Sequence, residues 1–239
     1  MDGNNAAQLR PTRAEAWGPL RRTGPDGGRA DSLVVLLHGV GADGADLIGL
    51  APELAPSVPG AAFLAPDAPR PFDGGSAPGR EWFSLADRDP RTLARLVAEA
   101  APGLDAWLDA QLAARDLPPS RLALIGFSQG AMLALHVGLR RRVPPAAVLA
   151  FSGAMATGAT LAAEATRPYP PVLLVHGEAD EVVPAWASRA AESALRAVGA
   201  PVESLFVPGL GHGVEGRGLA AAAALLRRAL GPGGGAPSV

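Results

Sequence analysis

The sequence predicts a three-layer α/β domain built on a mostly parallel central sheet. Two observations carry this prediction. Six apolar runs of four or five residues recur along the chain, and stretches with helical spacing separate them. A run that is apolar throughout, rather than at alternate positions, fits a strand buried on both faces of a parallel sheet. Strands alternating with helices fit right-handed crossovers that cover both faces.

Taken in order, residues 1–16 are expected to form a flexible N-terminal segment, and no apolar stretch of a secretory signal is visible there. An edge element follows, then a turn at Gly24–Asp31 (GPDGGRAD). The predicted strands are Leu33–Leu37, Ala62–Ala65, Leu122–Ile125, Ala147–Phe151, Val172–His176 and Ser204–Val207. The first predicted helix, Thr92–Ala114, places Leu93, Leu96, Val97, Leu104, Leu108 and Leu112 three or four residues apart, with Pro102-Gly103 as a candidate kink. Gln129–Leu139, Pro184–Val198 and Glu215–Leu230 complete the set. No linker-like stretch divides the middle and no repeat of fixed period is present. Residues 17–230 are therefore expected to be one domain, and 231–239 a flexible tail.

Composition narrows the chemistry. The 239 residues are 48% hydrophobic, enough for a sizeable core. A net charge of −2 with 18% charged residues carries no footprint for nucleic acid. No apolar run approaches the ~18 residues of a membrane span, so stable membrane insertion is not expected and the expected compartment is cytoplasmic. The absence of cysteine excludes disulfides, thiolate zinc sites, Fe–S clusters and a cysteine nucleophile. All 21 basic residues are arginine, which excludes lysine Schiff-base chemistry and a P-loop lysine. Serine is left as the covalent nucleophile to look for. Any histidine base must be His38, His136, His176 or His212.

The strand at Leu122 runs into Gly126-Phe127-Ser128-Gln129-Gly130 and then an alanine-rich helix. With 30 glycines the G-x-S-x-G pattern is cheap, at about 0.17 expected chance matches, but its place between strand and helix is informative. Such a sharp turn lifts the serine hydroxyl above the sheet and leaves no room for side chains at the flanking glycines. A helix N-terminus beside Ser128 also supplies backbone N–H donors. The strand at Leu33 ends in His38-Gly39-Val40-Gly41. Its glycines allow the Val40 N–H to turn inward, and with the Gln129 N–H it forms a candidate oxyanion hole. His38 reads as structural in this turn, and Asp43 and Asp46 as caps of the next helix.

After the strand at Val172 come Glu178 and Asp180, in HGEADEVVP. Asp180 is the first choice of acid, with Glu178 and Asp67 as runners-up, and helix capping is its alternative role. His212 lies between Gly211 and Gly213 after the last strand. It follows both Ser128 and Asp180, which fits the order serine, acid, histidine. His136 falls inside a helix and reads as packing. His176 is expected to shape the acid loop.

These residues resemble the acyl-protein thioesterase, or bacterial phospholipase/carboxylesterase, branch of the α/β-hydrolases. The likeness spans Leu33 to Leu230 and rests on LLHGVGADGADLIGLAP, GREWFSL, GFSQGAML, HGEADEVVP and GLGH. It implies an α/β-hydrolase fold with a minimal cap, since few residues separate Ser152-Gly153 from the strand at Val172. It implies Ser128, Asp180 and His212 as nucleophile, acid and base, Val40 and Gln129 as oxyanion donors, and Trp82 near the substrate entrance. The implied activity is hydrolysis of a small-molecule ester or thioester, extending to lysophospholipid, with no cofactor and no metal. The pocket wall is expected to draw on Leu47, Trp82, Phe83, Met132, Met155, Val182 and Val183. Two other readings stay open: a serine peptidase or amidase, which a cap domain would favour, and a non-catalytic ligand-binding protein. A dienelactone-type hydrolase would call for the missing cysteine. Oligomeric state is open, a homodimer included.

Overall fold

Each of the six apolar runs forms a strand of one sheet. The structure is a computed structural model describing residues 20–24, 29–72, 74 and 79–231, with 20–23 described by their backbone. The expected flexible segment at 1–16 and all but Gly231 of the expected tail at 231–239 lie outside the described residues, as do residues 25–28 of the predicted turn. The strands are β1 (Leu20–Thr23), β2 (Ser32–Leu37), β3 (Ala61–Pro66), β4 (Arg70–Phe72), β5 (Gly79–Glu81), β6 (Leu122–Phe127), β7 (Ala147–Phe151), β8 (Val172–Gly177) and β9 (Val202–Val207). The main sheet has the order β1-β3-β2-β6-β7-β8-β9. Its six strands from β3 to β9 are parallel. β1 adds an antiparallel edge on β3, pairing Leu20 with Pro66 and Thr23 with Phe63. β4 and β5 form a separate antiparallel ribbon.

The helices are α1 (Gly44–Ile48), α2 (Ala51–Leu54), α3 (Pro90–Ala113), α4 (Gln129–Arg140), α5 (Leu161–Glu164), α6 (Trp186–Ala197) and α7 (Gly216–Leu230). Alternation along the strands sorts them into two layers. Leu33, Val35 and Leu37 of β2 face a core built with α3, α4, α5 and α6. Val34 and Leu36 face a second core built with α1, α2 and α7. In both cores each fully buried Leu, Val or Phe contributes about 1.5–3 kcal/mol relative to exposure.

Several boundaries differ from the sequence reading for local reasons. α3 starts at Pro90 because Asp89 caps it, accepting from the Arg91 and Thr92 N–H groups. It then runs through Pro102 without ending, its buried face anchored by Ala101 and Leu104 on either side. Glu215 is the cap of α7 rather than its first residue, accepting from the Gly218 N–H. β9 begins at Val202, two residues early, because its backbone pairs with Val172 at the start of β8.

The parallel strands point their C-terminal ends to one side. β2 lies between β3 and β6, so the chain reverses its direction of travel across the sheet there. In open α/β sheets such a switch opens a crevice at the strand ends. His38 and Ser128 leave the sheet at this point, from β2 and β6.

Candidate active site

Ser128 occupies the turn between β6 and α4 with φ 53° and ψ −115°. A non-glycine residue in that region stores roughly 1–3 kcal/mol of strain and persists only when its surroundings hold it. The surroundings here are close-packed main chain. A Cβ on Gly126 would sit 2.4 Å from the Gly130 carbonyl oxygen, and one on Gly130 2.0 Å from that of Leu37. The Ser128 N–H donates to the Phe151 carbonyl at 2.9 Å, which pins the turn to β7. The Ser128 hydroxyl makes no hydrogen bond among the described residues. It stands at the N-terminus of the 12-residue α4, where N–H groups and the helix dipole favour developing negative charge.

Neither the Val40 N–H nor the Gln129 N–H donates to a protein acceptor among the described residues. The loop carrying Val40 is braced from several sides. The His38 Nε2 accepts from the Ala68 N–H at 3.0 Å, so Nδ1 carries the ring hydrogen and donates to the Gly39 carbonyl at 2.7 Å. Burial pushes the His38 imidazole below its ordinary value, against a weaker opposing pull from the Gly39 carbonyl and Asp67. The Trp82 indole N–H donates to the His38 carbonyl at 2.8 Å. The ribbon adds two bonds, from the Gly41 N–H to the Arg80 carbonyl and from the Arg80 N–H to that of Ala42. The Gln129 side chain accepts from the Trp82 N–H at 2.9 Å and donates to the Phe83 carbonyl at 2.6 Å. The ribbon and the start of α4 are thus locked around the two free donors.

Across the crevice, the His212 Nδ1 donates to Asp180 Oδ2 at 2.7 Å. The other oxygen, Oδ1, accepts from the Val182 and Val183 N–H groups at 2.9 and 2.8 Å. Burial of Asp180 works against its charge, but the His212 and backbone hydrogen bonds outweigh it and hold the carboxyl below the usual range. The His212 ring lies 4.8 Å from the Phe127 ring, centroid to centroid, beside the nucleophile turn. With Nδ1 engaged by Asp180, the His212 Nε2 makes no hydrogen bond among the described residues.

The runners-up are occupied elsewhere. Glu178 is exposed and pairs with Arg189 at 2.7 Å. Asp67 holds the start of α1, accepting from the Gly44 N–H at 2.9 Å. Asp43 caps α1 through the Ala45 N–H, while Asp46 sits in its first turn. The His136 Nδ1 meets the Thr157 hydroxyl at 3.0 Å, away from the crevice. Among the described residues no group of three or more His, Asp or Glu is placed to hold a metal ion.

The expected pocket residues divide. A cavity of about 240 Å³ beside His212 is lined by Asp46, Leu47, Leu50, Phe127, Gly213 and Val214. Leu47 is the expected residue among them. Trp82 and Phe83 are buried in the core; the Trp82 indole donates to the His38 carbonyl and the Phe83 carbonyl accepts from the Gln129 side chain. Met132 and Met155 belong to the α3–α6 core, Val183 is half-buried, and Val182 is exposed. The sequence reading missed Leu50, Phe127 and Val214, although Phe127 and Val214 stand one and two residues from the serine and histidine it singled out. It also missed Arg80.

Comparison with known proteins identifies the family. The Phospholipase/Carboxylesterase family profile matches residues 23–230. The esterase YpfH of Escherichia coli is 29% identical over 190 residues, covering 80% of this chain and 79% of its own. The crystal structure of esterase PE8 superposes with a TM-score of 0.82 at 41% identity, over 89% of this chain and 98% of that one. Acyl-protein thioesterase 2 of Zea mays superposes at 0.71 with 26% identity, over 90% and 100%. The chain belongs to the Phospholipase/Carboxylesterase family of α/β-hydrolases and is a carboxylic ester hydrolase, acting on esters or thioesters.

Proposed function

We propose that the protein cleaves short- to medium-chain acyl esters through an acyl-enzyme on Ser128, with His212 as base and Asp180 as its orienting acid. The observation that carries this reading is the His212–Asp180 hydrogen bond at 2.7 Å, made to a carboxylate whose other oxygen is already held by two backbone N–H groups. It leaves Nε2 as an acceptor on a ring that packs 4.8 Å from Phe127, the neighbour of the strained serine.

In this mechanism the Ser128 hydroxyl attacks the carbonyl carbon and passes its proton to Nε2. The carbonyl oxygen becomes an oxyanion between the Val40 and Gln129 N–H groups, each worth about 3–4 kcal/mol of barrier. His212 then protonates the departing alcohol or thiol, and the acyl group stays on Ser128. Water, deprotonated by Nε2, attacks the acyl-enzyme and a second tetrahedral intermediate collapses to the acid and free serine. The apolar wall of Leu47, Leu50, Phe127 and Val214 supports a small acyl or alcohol group. Lysophospholipid and acyl-thioester substrates are the extensions to compare.

The test is a p-nitrophenyl ester series of increasing acyl length, run beside an acyl-thioester and a lysophospholipid. A fluorophosphonate probe is applied to wild type and Ser128→Ala. The wild type is expected to label, to show a product burst and to prefer short chains, and Ser128→Ala to lose all three. Full esterase activity in folded Ser128→Ala overturns the assignment.

A further inference from the structure

A second histidine reaches the acid. His176, the penultimate residue of β8, is fully buried. Its Nε2 lies 2.7 Å from the Val183 carbonyl and 3.2 Å from Asp180 Oδ2. Both neighbours are acceptors only, so Nε2 carries a hydrogen and donates. Its Nδ1 lies 2.6 Å from the Ser188 hydroxyl, and that hydroxyl lies 3.2 Å from the Gly153 carbonyl. Ser188 has one proton, which goes to Nδ1 of a neutral ring or to Gly153 beside a doubly protonated one. In both arrangements Nε2–H donates to the Val183 carbonyl, with Asp180 Oδ2 alongside it.

The Asp180 carboxylate is therefore held at three places. Val182 and Val183 N–H engage Oδ1, while His212 Nδ1 engages Oδ2. The backbone pair orients the carboxylate only as firmly as its own turn is held. His176 holds that turn through the Val183 carbonyl and packs its ring against Oδ2. The same chain of contacts ends at the nucleophile. A Cβ on Gly153 would lie 2.5 Å from the Ala131 Cβ and 3.4 Å from the Ser128 carbonyl oxygen, so Gly153 packs on the first turn of α4. The sheet bond from Ser152 N–H to the Val175 carbonyl joins the same strands, but it aligns backbones and not the carboxylate.

We propose that His176 is a positioning residue for ester hydrolysis. Its Nε2–H fixes the Val183 carbonyl, and with it the turn whose N–H groups orient Asp180 towards His212, and Ser188 and Gly153 tie that turn to the Ser128 turn. The proposal rests on the reading of Ser128, Asp180 and His212 as the catalytic set. His176 does not touch substrate, so its loss acts on kcat and leaves KM in place. Misalignment of a catalytic group by a fraction of an ångström to 1 Å costs about 10- to 100-fold.

The experiment compares His176→Leu and His176→Gln in the full chain with a p-nitrophenyl ester. His176→Leu is expected to lower kcat about 10- to 100-fold with KM within about twofold of wild type. The Gln side-chain amide places an N–H near the Nε2 position, so His176→Gln is expected to recover most of that loss. The low-field proton resonance of the His212–Asp180 hydrogen bond should be sharp in wild type and Gln and displaced or broadened in Leu. Wild-type kcat with an unchanged resonance in the Leu variant overturns the proposal. So does an equal loss in both variants that follows their melting temperatures. Should the Leu variant fail to fold, ring ¹⁵N spectra of the wild type decide: a bare Nε2 on His176 refutes it. Those spectra need no turnover, so they remain readable even if active Ser128→Ala were to overturn the catalytic set.

Discussion

Gly130→Ala offers a quantitative test of why the nucleophile turn has its sequence. Gly130 is the second residue of α4, where the helix crosses the end of β2. An added Cβ would meet the Leu37 carbonyl oxygen at 2.0 Å, its carbon at 2.5 Å and the His38 carbonyl oxygen at 2.7 Å. Ordinary contact begins near 3.4 Å, so the helix and β2 must separate by about 1.4 Å at the closest point. All three obstacles are main chain, with no side chain to rotate aside. Overpacking costs typically ~1–3 kcal/mol, and this site belongs at the upper end. For a chain of this size, about 3 kcal/mol lowers Tm by roughly 6–12 °C. The same movement carries the Gln129 N–H away from the Val40 N–H, and a shift of about 1 Å in such a group costs on the order of 100-fold in rate. Thermal melting followed by circular dichroism, with kcat on a p-nitrophenyl ester, measures both effects. Gly49→Ala is the control: its backbone has φ −58° and the nearest atom to a new Cβ is 3.6 Å away, so less than ~0.5 kcal/mol is expected. A Gly130→Ala protein that melts within about 2 °C of wild type and keeps its kcat refutes the close-packing argument.

Two further outcomes are expected. Trp82→Phe removes the indole N–H from the His38 carbonyl and leaves that buried oxygen short of its 2.8 Å partner, at a cost of about 1–3 kcal/mol. Its kcat should fall by less than the ~10²–10³ that loss of a whole oxyanion donor costs, and unchanged melting and turnover would show that Trp82 does not brace the loop. His136 is pushed down to about 4, from an ordinary 6.5, by burial first and by the Arg140 guanidinium second. Between those values the unfolded chain binds the extra proton, so stability falls as pH drops from about 6.5 to about 4 and then levels. His136→Gln should flatten that stretch in urea titrations at pH 7, 5 and 4, and an identical slope in the variant would remove His136 as the cause.

The central strands were legible because each is apolar on both faces, and a parallel sheet covered by helices leaves nothing else for such runs to do. β4 and β5 carried no such signal. They are three-residue pieces, Arg70–Phe72 and Gly79–Glu81, and they exist because the oxyanion loop pairs with Arg80. At the site, the two glycines around Ser128 were readable as a steric demand, since only close main chain excludes a Cβ on both sides. The acid was readable only as a choice of three. Asp67, Glu178 and Asp180 all follow strands, and which of them meets His212 depends on side-chain direction after the loops have packed. Trp82 was legible as an aromatic near Ser128, but its burial and its N–H bond to the His38 carbonyl depend on tertiary packing that no local pattern encodes. Leu50, Phe127 and Val214 come from three elements, so no local pattern groups them.

The hydrogen bonds that assemble this site reach far along the chain. His38 to Ala68 spans 30 residues, Asp180 to His212 spans 32, Trp82 to His38 spans 44 and Trp82 to Gln129 spans 47. No contiguous fragment holds both halves of the crevice, and each of these closures carries a chain-entropy cost before it returns any contact. Turnover is therefore a property of the completed sheet. During refolding it should be the last signal to recover, after helix content and burial, which makes the reaction itself a probe of folding cooperativity.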